Sequence, residues 1–316
     1  MSGKSLTAAA LGIGAVVVLL VLPQLATRYT VSLATSILSY VILATAWAMF
    51  SGPTRYVSLA TSAFYGIGAY VTALGISSMP LPAVLLVAAV VAAAVAVAVG
   101  LSTLRLSGMY FVIFTFGLSE LVRQLTTWFQ INVTKTRIQY IFTALGDNEL
   151  YYYLVGLCAL TVAVSLIVQR SRLGAALRVI GEDEMLAEHA GINTTVTKLS
   201  VFAISAVLIG MTGAIMAPRW TYIDPNIAFN SLISFQVVIM ALLGGIGRLY
   251  GPAVGAVPLV LLSEYLSGRF PYHFSIVLGL CFVVIVYVLP RGIAGLIESL
   301  AARLRVGTTA ARQVAP

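Results

Sequence analysis

The chain has 316 residues, of which 60% are hydrophobic and only 9% are charged. A soluble domain carries about 25% charged residues, so this composition excludes a water-soluble globular protein. The net charge of +8 does not indicate nucleic acid binding, because basic residues collect on the cytoplasmic flanks of membrane spans. We therefore expect an all-α fold, a polytopic bundle of membrane helices.

Apolar runs of about 20 residues, the length that crosses a bilayer, recur along the chain. The first follows Lys4, and the sequence QLA at 24–26 is a poor cleavage site, which favours an uncleaved span over a signal peptide. The clear runs are 6–25, 31–50, 81–103, 108–129, 150–169, 198–218 and 272–290, and the less regular ones are 56–78, 231–247 and 252–268. The sequence predicts about ten transmembrane helices, or eight to nine if the irregular runs are re-entrant.

The basic residues orient these spans. Alternation from a cytoplasmic N-terminus places most Lys and Arg residues on the cytoplasmic side, as the positive-inside rule requires, and both termini are then cytoplasmic. We expect residues 1–301 to form the transmembrane domain, with its longest cytoplasmic loop at about 170–197. Residues 302–316 are expected to form a short basic cytoplasmic tail beside anionic lipid.

Small residues recur at helical spacing in three places. Such stripes allow helix backbones to approach closely in lipid, so they predict tight packing within the bundle and carry no information about chemistry. The stripes are Ala88, Ala92, Ala96 and Gly100; Ala206, Gly210 and Ala214; and Gly251 with Gly255.

The long cytoplasmic loop gathers acidic residues that are scarce elsewhere. The first three are expected to open a short helix of about two turns, where carboxylates favour the positive end of the helix dipole. Ala187, with Met185 and Leu186, supplies small and apolar surface, and Gly191 is a natural C-terminal stop. The acids are Glu182, Asp183, Glu184 and Glu188.

A helix this short is marginal in water, so it gains stability from a partner. Two interpretations remain open on the pattern alone: an ordinary solvated loop helix, or a docking helix that a cytoplasmic protein grips. Lys198 is expected to anchor the next span at the membrane interface.

The run RLGAALRVIGEDEMLAEHAGINTTVTKLSVFAISAVLIGMTGAI at 172–215 resembles the cytoplasmic loop of permease subunits in branched-chain amino acid ABC importers, especially the LivM-like subunit. Three further stretches are similar to the same family: LRLSGMYFVIFTFGLSELVR at 104–123, SLATSAFYGIGAYVTA at 58–73 and ALLGGIGRLYGPAVGA at 241–256. Gly181 departs from the family pattern, which usually has Arg there.

The resemblance implies that the loop helix is the coupling helix, seated in a groove on an ATPase subunit. The residues so assigned are Glu182, Asp183, Glu184, Ala187, Glu188 and Gly191. It further implies a bacterial inner-membrane importer with a second, LivH-like permease as a heterodimeric partner, two cytoplasmic ATPases and an extracytoplasmic solute-binding protein. The implied cargo is a branched-chain or other small hydrophobic amino acid, with urea or short amides as the alternative.

The chain lacks the motifs of a catalyst. GxxxxGK[ST] is absent, so P-loop ATP binding must come from partner subunits, and no cofactor is expected on this chain. Two Cys and two His do not make a metal centre, and no nucleophile set is evident. The segment 126–150 lacks the family's Thr-Gly-Gly-x-x-Gly stretch, which leaves its role and the choice of solute open.

Three charged residues fall within predicted spans. Glu120 and Arg123 lie three residues apart, on one helix face, and Glu264 lies near the outer end of the ninth span. They line the solute pathway, or they are a structural ion pair with one interfacial carboxylate. An alternative of another class, a proton-coupled secondary transporter, would use Glu120 and Glu264 as proton carriers.

Overall fold

The computed structural model describes residues 19–106, 108–136, 138–143, 145–270 and 273–288, which form a helical bundle. Short irregular helices cover Gln130–Thr134 and Ala217–Arg219, and the strands are β1 (Gln139–Tyr140) and β2 (Tyr222–Ile223). The α-helices are α1 (Arg28–Thr54), α2 (Thr61–Gly75), α3 (Leu81–Thr103), α4 (Met109–Phe129), α5 (Asp147–Arg170), α6 (Arg172–Glu182), α7 (Glu184–His189), α8 (Thr194–Met216), α9 (Pro225–Ala228), α10 (Ser231–Gly244), α11 (Gly251–Arg269) and α12 (Phe274–Val288).

Several helical segments satisfy the length and apolarity that crossing a membrane requires. Within the described ranges there are five, Arg28–Thr54, Leu81–Thr103, Asp147–Arg170, Thr194–Arg219 and Pro225–Gly244. The expected all-α, multi-pass membrane bundle is confirmed at this level. Most of the predicted first span, 6–25, and the predicted tail, 302–316, lie outside the described residues.

Helix α2 differs from the span predicted at 56–78. It has 15 residues, which makes it about 22 Å long, shorter than the hydrocarbon core of a bilayer. Residues 55–60 before it are not helical. We call this stretch the 55–60 linker. Apolar composition alone does not reveal the break, because the linker is as uncharged beyond Arg55 as the helix that follows.

Side chains satisfy the backbone of the 55–60 linker. The Leu59 amide donates to Thr115 Oγ1 at 3.0 Å, and the Leu59 carbonyl accepts from Ser119 Oγ at 3.1 Å and from Ser234 Oγ at 2.9 Å. Trp47 Nε1 donates to the Ser58 carbonyl at 2.7 Å. Non-helical backbone inside a membrane protein is tolerated only where protein groups satisfy it, and here helices α1, α4 and α10 do so.

Helices α2 and α8 form the centre of the bundle, in contact through their backbones. A Cβ atom at Gly68 would overlap the Gly210 carbonyl oxygen, and one at Gly213 would overlap the Tyr65 carbonyl oxygen. Gly68 of α2 and Gly213 of α8 are therefore needed for packing, since neither position has room for a side chain. Small side chains are what such close approach requires.

The predicted small-residue stripes also pack as expected. Gly210 of α8 faces Ala92 of α3, whose stripe of small residues is buried. Gly251 and Gly255 of α11 lie against the backbone of α10 at Gly244. The stripes therefore mark the contacts of α3 with α8 and of α10 with α11.

Segment 126–150, which lacks the family's glycine-rich stretch, is held in place by a short pair of strands. Helix α4 continues into the turn at 130–134, and β1 then pairs antiparallel with β2, with Gln139 opposite Ile223 and Tyr140 opposite Tyr222. The segment is thereby attached to the connection between α8 and α9.

Candidate functional site

The acidic loop folds into two helices, α6 and α7, that meet at Asp183. Asp183 has an extended backbone, and its Oδ1 accepts from the amides of Met185 at 2.9 Å and Leu186 at 3.1 Å. This is an N-cap, the position at which a carboxylate satisfies otherwise unpaired amides. The prediction that three acids open one helix is therefore wrong in detail: Glu182 ends α6, Asp183 caps α7 and Glu184 is its first residue.

The C-terminal stop was predicted correctly. Gly191 has a φ of 79°, in the left-handed region that favours glycine. The amide of Ile192 donates to the Ala187 carbonyl at 3.0 Å, and that of Gly191 donates to the Glu188 carbonyl at 2.9 Å. This bonding pattern is a Schellman motif, which ends α7 after a turn and a half.

Glu184 points towards the body of the protein and not to solvent. One carboxylate oxygen pairs with Lys198 Nζ, and the other accepts from the Tyr56 hydroxyl at 2.6 Å. Burial alone would raise the pKa of Glu184, but the hydrogen bonds from Lys198 and Tyr56 outweigh it and lower the pKa below the ordinary value. The carboxylate is therefore held ionised in this site.

Lys198 lies at the centre of this cluster. Its side chain is 2% exposed, its Nζ donates to the Leu104 carbonyl at 2.9 Å, and the same atom lies 5.0 Å from the centroid of the Tyr56 ring. A buried ammonium needs such partners, because an unpaired charge in the interior is costly. Lys198 was expected to anchor a span at the interface; in the structure its ammonium is enclosed by protein groups near the start of α8. We call Tyr56, Glu184 and Lys198 the Lys198 cluster.

Ala187 also faces inward, fully buried. The expectation that it contributes to an outward surface is therefore wrong. Helical geometry explains this, because Glu184 and Ala187 are three residues apart and share one face of α7. The opposite face carries Met185 and Leu186, whose exposed fractions are 69% and 59%. Met185 and Leu186 thus form an apolar part of the outward surface of α7, beside the exposed Glu188 and His189.

The remaining acids of the loop have weaker contacts. Glu182 pairs with Arg55 at 3.4 Å, but both side chains are largely exposed, so this pair contributes little to stability. Glu188 accepts from the Thr194 hydroxyl at 3.1 Å, which ties the C-terminal part of α7 to the first turn of α8.

Glu120 and Arg123 form the predicted pair on α4. The Arg123 guanidinium donates twice to the Glu120 carboxylate and once more to Asn226 Oδ1, at the start of α9. Gln124 donates to Glu120 as well, at 3.0 Å. Glu264 lies exposed on α11 and, in the described part of the chain, joins neither residue, so the structure does not bring the three candidates together.

Two clefts adjoin this pair at the same end of α4. One, of about 350 Å³, is lined by Thr127, Gln130, Asp224 and Asn226 among others, and the other, of about 420 Å³, by aromatic and aliphatic residues together with polar ones that include Gln130. Gln130, which lines both clefts, is buried and accepts from the Tyr70 hydroxyl at 3.4 Å. A mainly apolar cleft with a few polar groups is the usual form of a small-molecule site.

Sequence reasoning missed Tyr56 and Asn226, which complete the two clusters. Their partners are 128 and 103 residues away, and no local pattern signals such contacts. Within the described residues, no group of three or more His, Cys, Asp or Glu could hold a metal ion.

Known proteins that resemble this chain are transport permeases. The family model described as "Branched-chain amino acid transport system / permease component" matches residues 29–286. The chain is 26% identical over 304 residues to the high-affinity branched-chain amino acid transport system permease protein LivM of Escherichia coli K12, an alignment that covers 86% of this chain and 71% of that protein.

Shorter matches come from related permeases. LivH of Escherichia coli K12 is 30% identical over 138 residues, 42% of this chain and 43% of that protein. The xylose transport system permease protein XylH of Haemophilus influenzae is 26% identical over 115 residues, 35% of this chain and 31% of that protein. No solved structure matches the chain.

Proposed function

The chain belongs to the family of branched-chain amino acid transport system permease components, and from this premise we propose how it works within an ABC importer. It is a non-catalytic permease subunit in a multi-pass membrane bundle. Its own contribution is a path for the solute and a contact for the subunits that hydrolyse ATP. We place it in a bacterial inner membrane, the setting of an importer that a solute-binding protein supplies from outside.

Helix α7 is the coupling helix of this proposal. The observation that carries it is the division of α7 into a buried face, with Glu184 and Ala187, and an outward surface with an apolar part, Met185 and Leu186. Exposed apolar side chains on a short helix mark a contact with another protein. The occupant we propose is a cytoplasmic ATPase subunit of the importer, with Met185 and Leu186 at the centre of the contact.

The experiment is a pull-down of the ATPase subunits by the membrane permease pair. Changing Met185→Asp and Leu186→Asp together should lower the bound ATPase at least about tenfold, since central apolar anchors dominate such contacts. The control is Ala175→Asp, which adds one negative charge to an exposed position on α6, and each single variant, Met185→Asp and Leu186→Asp, is compared with it at equal charge. Unchanged ATPase binding in the double variant would overturn the docking proposal.

The proposed topology has ten spans with both termini in the cytoplasm. Its support is that the basic residues assigned to the cytoplasmic side meet at one end of the bundle, where Arg55 contacts the loop helices and Lys198 contacts the end of α3. Arg123 and Arg219 make their contacts elsewhere, with Asn226 and Ser32 respectively. Labelling of Cys residues introduced at 190 and 226 from outside intact cells tests the assignment, and only position 226 should react.

The solute path is proposed to pass beside Glu120 and Arg123, between this chain and a second permease subunit. Most side chains of α4 are uncovered; in the part of the chain that the structure describes, its buried residues are Phe111, Thr115, Leu118 and Ser119. Charged groups in a membrane helix face protein or water and not lipid. A LivH-like subunit is the proposed occupant, because the chain resembles both LivM and LivH.

The proposed cargo is a branched-chain or other small hydrophobic amino acid, the solute class that names the family. Uptake of radiolabelled leucine, urea, acetamide and xylose, each measured separately, tests it. Leucine should be taken up, and uptake of urea or acetamide without leucine would replace this cargo with the alternative. Since Glu120 is neutralised by Arg123, it does not serve as a proton carrier, which removes support for a secondary transporter.

A further inference from the structure

The Lys198 cluster joins three separate parts of the chain at the α7 end of the bundle. Lys198 belongs to α8, Glu184 to α7 and Tyr56 to the 55–60 linker, while the carbonyl that Lys198 also binds is that of Leu104, just after α3. A buried charge surrounded in this way fixes the relative positions of its partners, because losing one of them leaves the charge uncompensated.

The linker continues this connection into α4. Leu59, three residues after Tyr56, bonds through its amide and carbonyl to Thr115 and Ser119 of α4. Ser119 immediately precedes Glu120, the residue that pairs with Arg123. Each step from α7 to the charged face of α4 is therefore a hydrogen bond, an ion pair or a short stretch of the covalent chain.

From these contacts we infer that the Lys198 cluster transmits movement of α7 to the path-lining helix α4 through the 55–60 linker. The inference rests on the proposed docking of α7 on an ATPase subunit. Lys198 and Tyr56 are positioning residues, since they touch neither the solute nor ATP. Removing Lys198 should leave α7 able to bind its partner while α4 no longer follows it.

The test uses the complete importer in proteoliposomes with its binding protein, and compares solute taken up with ATP hydrolysed. Lys198→Met, which keeps the length of the side chain, should lower the solute moved per ATP at least about tenfold, and Tyr56→Phe about threefold. The matched control is Arg269→Met, which removes an exposed cation at the end of α11, outside the cluster and the linker, and should change the ratio by less than about twofold.

A second measurement separates transmission from a loss of structure. With Cys158 and Cys281 replaced by Ser, spin labels are placed at exposed positions 90 and 110 in one sample and 90 and 190 in another. In the otherwise unchanged chain, ATP should alter both distances. In Lys198→Met the 90–190 distance should still respond to ATP, and the 90–110 distance should not.

Glu184→Gln keeps the shape of the cluster. It tests the transmission through the cluster even if the Lys198→Met chain does not assemble into the importer. It should lower the coupling ratio, and combined with Lys198→Met it should add little further, because both remove the same interaction. Full coupling in both single variants, or an equal loss in Arg269→Met, would overturn the inference. Failure of the unaltered chain to bind the ATPase would instead count against the docking proposal.

Discussion

Two of the three carboxylate–cation pairs among the described residues lie in different surroundings. In the Glu184–Lys198 pair the cation is 2% exposed, and Tyr56 and the Leu104 carbonyl complete its surroundings. In the Glu120–Arg123 pair the side chains are 41% and 29% exposed, on a helix that its own chain covers at few positions. The cation of the first pair is thus enclosed by its own chain, whereas both members of the second are partly open, and we propose that another molecule covers them.

This difference extends to the helices that carry the pairs. Helix α8 packs on α2 through backbone contacts at glycine, and α4 leaves a broad face open. Stability should therefore depend on α8, and association and transport on α4. Substitutions of the same kind in the two helices test this difference.

The largest effect is expected from adding one methyl group to each helix. Gly213→Ala on α8 would overlap the Tyr65 carbonyl, and overpacking of this kind costs about 3 kcal/mol. The control is Gly117→Ala on α4, where nothing lies within 4 Å and alanine should stabilise by about 0.5–1 kcal/mol. Thermal unfolding of the two variants in detergent measures the difference, and equal midpoints would refute the contrast.

The next largest effect concerns the partly exposed Glu120–Arg123 pair. Arg123→Met should leave folding intact but lower the co-purified second permease about tenfold, which corresponds to about 1.4 kcal/mol, because Glu120 is left uncompensated in the contact. Arg105→Met, an exposed cation next to α3, is the control. A misfolded Arg123→Met chain would mean that the pair serves the single chain after all.

The stability that the Glu184–Lys198 pair contributes should depend on pH. The pKa of Glu184 is lowered in the folded state, so its stabilising contribution is present above the unfolded value of about 4.3 and is lost as the pH falls through the folded value. The chain and its Glu184→Gln variant should therefore differ in stability at neutral pH and converge as the pH falls through the lowered folded pKa of Glu184. Unfolding midpoints between pH 3 and 7 test this, and a constant difference would show that the charge of Glu184 is not involved.

The smallest effect belongs to the exposed pair of the same loop. Arg55→Met should change the free energy of unfolding by less than about 0.5 kcal/mol, because Arg55 and Glu182 are largely solvated. Denaturant titration measures it. A loss comparable with that in Lys198→Met would show that burial is not what separates the two pairs.

The sequence was most informative where the physical cause is local. The spacing of Glu120 and Arg123, the stop at Gly191 and the small-residue stripes were all predicted from neighbours along a helix, and the structure confirms them. The inward turn of Glu184 was not, because its partner Tyr56 is 128 residues away. The break before α2 was hidden as well, since hydroxyl groups from distant helices make it possible and composition does not change there.

The contact of α2 with α8 has a mechanical consequence. Helices separated by a layer of side chains can slide, since rotamers on both surfaces adjust as they pass. At Gly68 and Gly213 no such layer exists, and the backbone of one helix lies directly on the other. These two helices must therefore travel as a single rigid body, so that any opening of the bundle takes place along the surfaces around this pair and not within it.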